Sequence, residues 1–263
     1  MQSDNSTIYF NGDWIKSSQL GKKFFDDSLH FGNGVSEEMR AYASLSDISV
    51  FRLREHHSAL IEAMKVANVH YSITADQLMR LTVEAVERNG LRDATIRVVI
   101  YKTRGESRIL ISTWEAAPFV VREAVYVRSS TNIRDREADE DTILIDDEGY
   151  LEEDTGTNFF HVKDDVLYTP QVNKSAKIRA IRDTIIECAM KLGHPVIEKK
   201  IRPDEIDGSE VAFYSNSTSE VNILAKFDDY TFTTDWRNTM AIDLLLLFRQ
   251  WATNKDLNDY TII

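Results

Sequence analysis

An α+β fold in two unequal domains is what this sequence predicts, and three observations predict it. β-Branched runs alternate with stretches whose apolar residues recur at helical spacing. The segment Trp114-Glu115-Ala116-Ala117-Pro118 breaks both patterns. No internal repeat or low-complexity tract runs through the chain. The break divides a small N-terminal α/β domain, residues 1–116, from a larger C-terminal domain, residues 117–263.

Each element has its own reason. In the first domain a short strand over Thr7 to Phe10 and a β-rich stretch, with Ser49 to Leu53 as a further strand, precede a helix marked by Leu60, Met64 and Ala67. Thr74 with Gln77 forms a capping box that opens a second helix through Leu78, Leu81 and Ala85, ending at Asn89-Gly90. Two β-branched runs follow, Ala94 to Tyr101 and Arg108 to Trp114. The second domain begins with strands at Ala124 to Arg128, Thr142 to Asp146, Asn158 to Val162 and Val166 to Thr169. Its clearest helix is Arg182 to Leu192, with Ile185, Ile186 and Ala189 as the apolar stripe and Gly193 as the stop. A last helix, about Trp236 to Trp251, carries Met240, Leu244, Leu247 and Trp251.

Composition narrows the function classes. The 263 residues, 43% hydrophobic and 28% charged, are those of a globular chain with ample length for a core. A formal net charge of −12 argues against nucleic acid, whose phosphates call for clustered Lys and Arg. The acidic run Arg134 to Asp154 reads as a solvated surface. The lone Cys188 has no disulfide partner within the chain and lies on the apolar side of a helix, where packing is its role. The polar start Met1 to Ser6 lacks the pattern of a secretory signal, and Leu244 to Phe248 is too short to span a bilayer, so the expected location is the cytoplasm with no membrane partner. His56 and His57 are adjacent and diverge, so no metal site is expected. Gly-rich phosphate loops and nucleophile elbows are absent from the sequence.

Several motifs occur in order along the chain: Ile8-Tyr9-Phe10-Asn11-Gly12, Ser28 to Val35, Arg40-Ala41-Tyr42, Phe51 to His56, Ile96-Arg97, Gly149 to Phe160, Tyr168-Thr169-Pro170, Arg182 to Ile186 and Glu220-Val221. Together they resemble the branched-chain aminotransferases of the fold-type IV (D-amino-acid aminotransferase-like) pyridoxal-phosphate family. The resemblance implies a cofactor cleft, and each family residue has a physical task there. A lysine forms the Schiff base and shuttles a proton. In this chain Ala124 to Ser130 runs through Thr131-Asn132-Ile133 into Arg134, and no lysine stands there.

The other losses fall on the same implied cleft. The family's phosphate arginine, in Glu-His-x-x-Arg-Leu, is matched by Ala59. The Gly-Ile-Thr-Arg turn, whose amides meet phosphate, reads Arg179-Ala180-Ile181-Arg182. Arg179 at a close-approach position blocks that turn, or else offers its own charge to an anion. Thr-Gly-Thr-Ala-Ala is replaced by Ser215-Asn216-Ser217-Thr218-Ser219, which keeps hydroxyls at Ser215, Ser217 and Thr218 and loses the glycine. Glu153, ahead of Asn158, matches the carboxylate that faces the pyridine nitrogen, or is one more solvated acid beside Glu152. In Gly34-Val35-Ser36-Glu37-Glu38-Met39-Arg40 the family's aromatic is Ser36 and its second glycine is Glu38, while Arg97 matches the arginine that meets substrate carboxylates.

These substitutions predict a branched-chain-aminotransferase-like protein with an eroded site, a pseudoenzyme or partner subunit that needs no cofactor. The resemblance implies a homodimer, or a heterodimer with an active paralogue. Two other readings stay open. One is a cofactor-independent enzyme acting on a small amino or keto acid through Glu37, Glu38, Glu153 and Arg40. The other is an active pyridoxal-phosphate transaminase whose lysine loop is absent from this sequence.

Overall fold

The computed structural model describes residues 6–19, 34–43, 47–103, 106–116, 122–131, 141–152, 157–171, 180–216 and 220–253. Its contacts form two compact units, Met1–Ala117 with Trp251–Ile263, and Pro118–Gln250.

In the first unit β1 (Thr7–Phe10), β2 (Asp13–Lys16), β3 (Gly34–Ala43), β4 (Ile48–Val50), β5 (Ala94–Thr103) and β6 (Glu106–Glu115) make a sheet in the order β2-β1-β6-β5-β3-β4. Every neighbouring pair is antiparallel. Alternation along the long strands sends Met39, Ala41, Ile96, Val98, Ile109 and Ile111 to one face. There they meet α1 (Leu53–Val66) and α2 (Ala75–Arg88) through Leu60, Met64, Leu78 and Ala85. The opposite face carries Glu38, Arg40, Thr95, Arg97, Ser112 and Trp114, with a small cluster of Ile8, Val99, Tyr101 and Leu110 at one end.

The Thr74–Gln77 capping box is present in both directions, Gln77 N donating to Thr74 Oγ1 at 3.1 Å and Thr74 N to Gln77 Oε1 at 2.9 Å. The expected strand Ser49 to Leu53 is shorter: β4 ends at Val50, Arg52 adopts φ 45°, and Leu53 opens α1. Glu55 N and His56 N both donate to Arg52 O, which starts the helix within a run whose apolar pattern suits either state. Ala67, expected on the apolar stripe, is instead the exposed C-cap of α1.

The second unit holds β7 (Arg122–Ser130), β8 (Asp141–Ile145), β9 (Leu151–Glu152), β10 (Asn158–Lys163), β11 (Val166–Pro170), β12 (Val196–Lys199), β13 (Val211–Asn216) and β14 (Glu220–Phe227). They form one sheet in the order β12-β11-β10-β13-β14-β7-β8-β9, and β15 (Tyr230–Thr231) pairs with β14. The sheet is mixed, with β7–β8, β7–β14 and β11–β12 parallel. Phe159, Ala212, Tyr214, Leu224 and Phe227 build a core on one face. The helix α3 (Ala180–Leu192) buries Ile181, Ile185, Cys188 and Ala189, with the Cys188 side chain fully inside. The final helix begins later than expected: a 3-10 turn covers Trp236–Asn238, and α4 spans Met240–Ala252. Its buried stripe is Met240, Ala241, Leu244, Leu245, Phe248 and Ala252, whereas Leu247 and Trp251 are half-buried. Among the described residues, no helix is long and apolar enough to cross a membrane.

Candidate functional site

Four of the eight residues marked by the sequence are described, two in each unit. Arg40 and Arg97 stand on neighbouring strands of the first unit. Strand β3 pairs with β5 so that Glu38 lies opposite Arg97 and Arg40 opposite Thr95. Arg40 is almost fully buried, with its guanidinium carbon 5.7 Å from the centre of the Tyr42 ring. Burial of a guanidinium beside an aromatic face suits its weak hydration.

Arg97 is bound differently. Its Nε donates to Glu38 Oε1 at 2.7 Å, and its second terminal nitrogen reaches the same oxygen. The guanidinium also sits 5.4 Å from the centre of the Trp114 ring, which belongs to β6 on the same face. Its side chain remains 43% exposed and that of Glu38 27%. This arginine, matched by resemblance to a carboxylate receptor, thus already holds a carboxylate of its own chain.

On the helix face, Glu37 meets His56 of α1, with Oε1 2.7 Å from Nδ1 and both groups largely buried. The sheet's alternation sends Glu37 and Glu38 to opposite sides, so the two acids do not act on one ligand. Ala59 of α1 is buried and brings no charge to the place where the family pattern has arginine.

In the second unit Asn158 of β10 and Ser215 of β13 are register partners. Asn158 Nδ2 donates to Ser215 O and Ser215 Oγ, each at 3.4 Å, and both residues are buried. Glu153, Arg179, Ser217 and Thr218 lie outside the described residues, as does the segment 132–140. Strands β7 and β8, which flank that segment, are parallel neighbours. Between Lys102 and Lys163 the sequence contains no lysine at all, so neither strand carries an amine nucleophile. Lys163 itself donates to the carbonyls of Asp207 at 2.7 Å and Glu205 at 3.4 Å.

A third polar group escaped the sequence reading. His161 of β10 is 2% exposed, with Nδ1 hydrogen-bonded to Ser209 Oγ at 2.8 Å and its ring stacked on Tyr168 at 5.0 Å. Burial, then the nearby Lys199 and Lys163 ammoniums, lower its pKa from 6.5 to about 4, with Glu205 opposing. The signal was a lone histidine in the apolar run Phe159-Phe160-His161-Val162. Among the described residues, no group of three or more His, Cys, Asp or Glu side chains could hold a metal ion.

The family model for class IV aminotransferases matches residues 120–226. The branched-chain-amino-acid aminotransferase of Pseudomonas aeruginosa is 26% identical over 268 residues, covering 87% of each chain. That of Escherichia coli K12 is 28% identical over 262 residues and covers 84% of each. In structure the chain is similar to the T.th. branched-chain amino acid aminotransferase, with a TM-score of 0.84, 21% identity and 98% of each chain covered. That relative was solved complexed with N-(5'-phosphopyridoxyl)-L-glutamate, and again with pyridoxamine 5'-phosphate.

These complexes correct one expectation. The lost lysine, arginine and glycines led to a fold expected to need no cofactor, yet the family and its solved members point to pyridoxal phosphate. The physical reason is that a covalent anchor is only one of several contacts that can hold such a group, so its loss does not by itself exclude the cofactor. The chain thus has the fold-type IV architecture of the branched-chain aminotransferases, and over residues 120–226 it is similar to the class IV aminotransferase family.

Proposed function

We propose that this protein is a branched-chain-aminotransferase-like member that takes up pyridoxal phosphate without covalent attachment and is not a competent leucine transaminase. One observation carries the proposal: no lysine occurs between positions 103 and 162, a span that includes β7, β8 and the segment joining them. Pyridoxal phosphate, when bound, supplies an electron sink. The residues present do not fit its covalent capture, so no lysine-borne proton transfer is assigned to this chain.

Two further features support the reading. The buried Ala59 offers nothing to a phosphate dianion, and Arg97 is already engaged by Glu38. Hydroxyls at Ser217 and Thr218, kept in the sequence after Ser215, are the groups suited to a phosphate held without covalent help. Assembly with a second copy, or with an active paralogue, belongs to the same proposal and follows from the resemblance.

The test incubates pure protein with pyridoxal phosphate, reduces half with borohydride, and dialyses the rest. We expect cofactor absorbance to leave on dialysis, intact mass to stay unchanged after reduction, and leucine with 2-oxoglutarate to yield no glutamate. Gain of one phosphopyridoxyl group together with glutamate formation would overturn the proposal. That result would favour the active transaminase that the relatives' names suggest.

A further inference from the structure

We propose that Glu38 is a specificity-determining residue that occupies Arg97 and thereby closes this sheet face to ligands bearing a carboxylate. The inference deepens the reading above, because it names a ligand class that the same face refuses.

The geometry is that of a receptor filled from within. Arg97 projects from the middle of the sheet, with Glu38 directly across on β3 and Ser112 directly across on β6. Trp114, two residues further along β6, lies beside the guanidinium and orients it. A half-exposed guanidinium steadied by an indole ring is pre-organised to meet a planar anion. Here Glu38 Oε1 takes both Nε and one terminal nitrogen, the edge that a bidentate carboxylate would use. An entering carboxylate must displace Glu38, and it also meets the negative charge of the displaced acid. Binding at this arginine is therefore penalised twice, by a lost ion pair and by like-charge repulsion.

The pair is too exposed to be retained for stability alone. With side chains 43% and 27% accessible, it belongs to the class of ion pairs that contribute little to folding. Replacing Glu38 should therefore leave the fold intact while exposing Arg97, which makes the idea testable by binding alone.

The probe is 4-methylvalerate, a branched aliphatic carboxylate without amine or phosphate. It is titrated into the full-length protein, into Glu38→Ala and Glu38→Gln, and into the double variant Glu38→Ala with Arg97→Ala, with heat and protein NMR shifts as readouts. We expect Glu38→Ala to bind the probe about tenfold or more tightly than the unmodified chain. Glu38→Gln should lie between them, and the double variant should lose the gain. Equal binding by the unmodified chain and Glu38→Ala, with their thermal melts unchanged, overturns the proposal, as does a gain that survives removal of Arg97. Because the probe carries no phosphate and no absorbance is read, failure to bind pyridoxal phosphate would sink the functional reading and leave this result standing.

Discussion

His161 Nδ1 lies 2.8 Å from Ser209 Oγ in a part of the second unit where the histidine is 2% exposed and its Nε2 has no hydrogen-bond partner among the described residues. A proton added to this ring would put an imidazolium among Tyr168, Lys199 and Lys163, with the nearby Glu205 favouring it. The native state therefore resists protonation until about pH 4, whereas the unfolded chain accepts it near 6.5. Stability contributed by the neutral ring is complete above pH 6.5 and declines as the pH falls towards 4, by about 3 kcal/mol in all. Urea midpoints between pH 7 and 4 should drop along this curve. His161→Phe should flatten it, and an equally steep slope in that variant would show that other groups are responsible.

Asn89, the C-cap of α2, locks the first strand to the rest of its unit. Thr7 N donates to Asn89 Oδ1 at 2.7 Å, and Asn89 Nδ2 donates to Thr7 O at 2.7 Å, Ala85 O at 2.9 Å and Thr113 Oγ1 at 2.9 Å. One amide thus satisfies a helix end and a strand end together. Asn89→Ala is expected to lower stability by about 2–3 kcal/mol, read from chemical denaturation, because several half-buried partners lose their bonds at once. Asn89→Asp keeps the acceptor for Thr7 N but places a carboxylate against two carbonyls, so it should be no better.

Two glycines separate space from backbone conformation. At Gly34 a Cβ would stand 2.8 Å from Tyr101 Cβ and 2.9 Å from Ile100 O, both fixed parts of β5. At Gly193 nothing among the described residues lies within 4 Å of such a Cβ, but φ is +83°. Gly34→Ala should cost about 1–3 kcal/mol by forcing β3 from β5, and Gly193→Ala about 1 kcal/mol through the left-handed backbone alone. Hydrogen exchange tells them apart: protection should fall along β3 in the first variant and only at the end of α3 in the second.

The sequence made the scaffold legible wherever pattern and cap agree. Thr74 and Gln77 announce the start of α2, Gly193 the end of α3, and the runs 94–101 and 108–114 give β5 and β6 their faces. It misread residues 49–53 because five apolar and polar positions suit a strand or a helix start equally, and only the left-handed turn at Arg52 decides between them. At the site, sequence comparison marked Glu38 as a departure but could not show that Arg97 holds it, since cross-strand pairing depends on register. Nor could it place Glu37 against His56, as that pairing depends on which way the sheet's alternation falls. The cofactor was misjudged for a different reason: the motifs count missing groups, while affinity depends on the contacts that remain.

Lys163 gives the last prediction, because it is the first lysine after the gap and the simplest candidate to replace a missing anchor. Its Nζ donates to the carbonyls of Asp207 and Glu205 and lies 3.6 Å from where a Cβ on Gly208 would stand. An amine held in a turn by two carbonyls is not placed to act as a nucleophile. Lys163→Ala should therefore leave the absorbance of added pyridoxal phosphate and its loss on dialysis unchanged, while lowering stability by about 1 kcal/mol through the unpaired carbonyls. If borohydride fixes the cofactor to the unmodified chain and Lys163→Ala abolishes that fixation, the lysine has left the turn to act as the anchor, and attachment without a covalent bond must be abandoned.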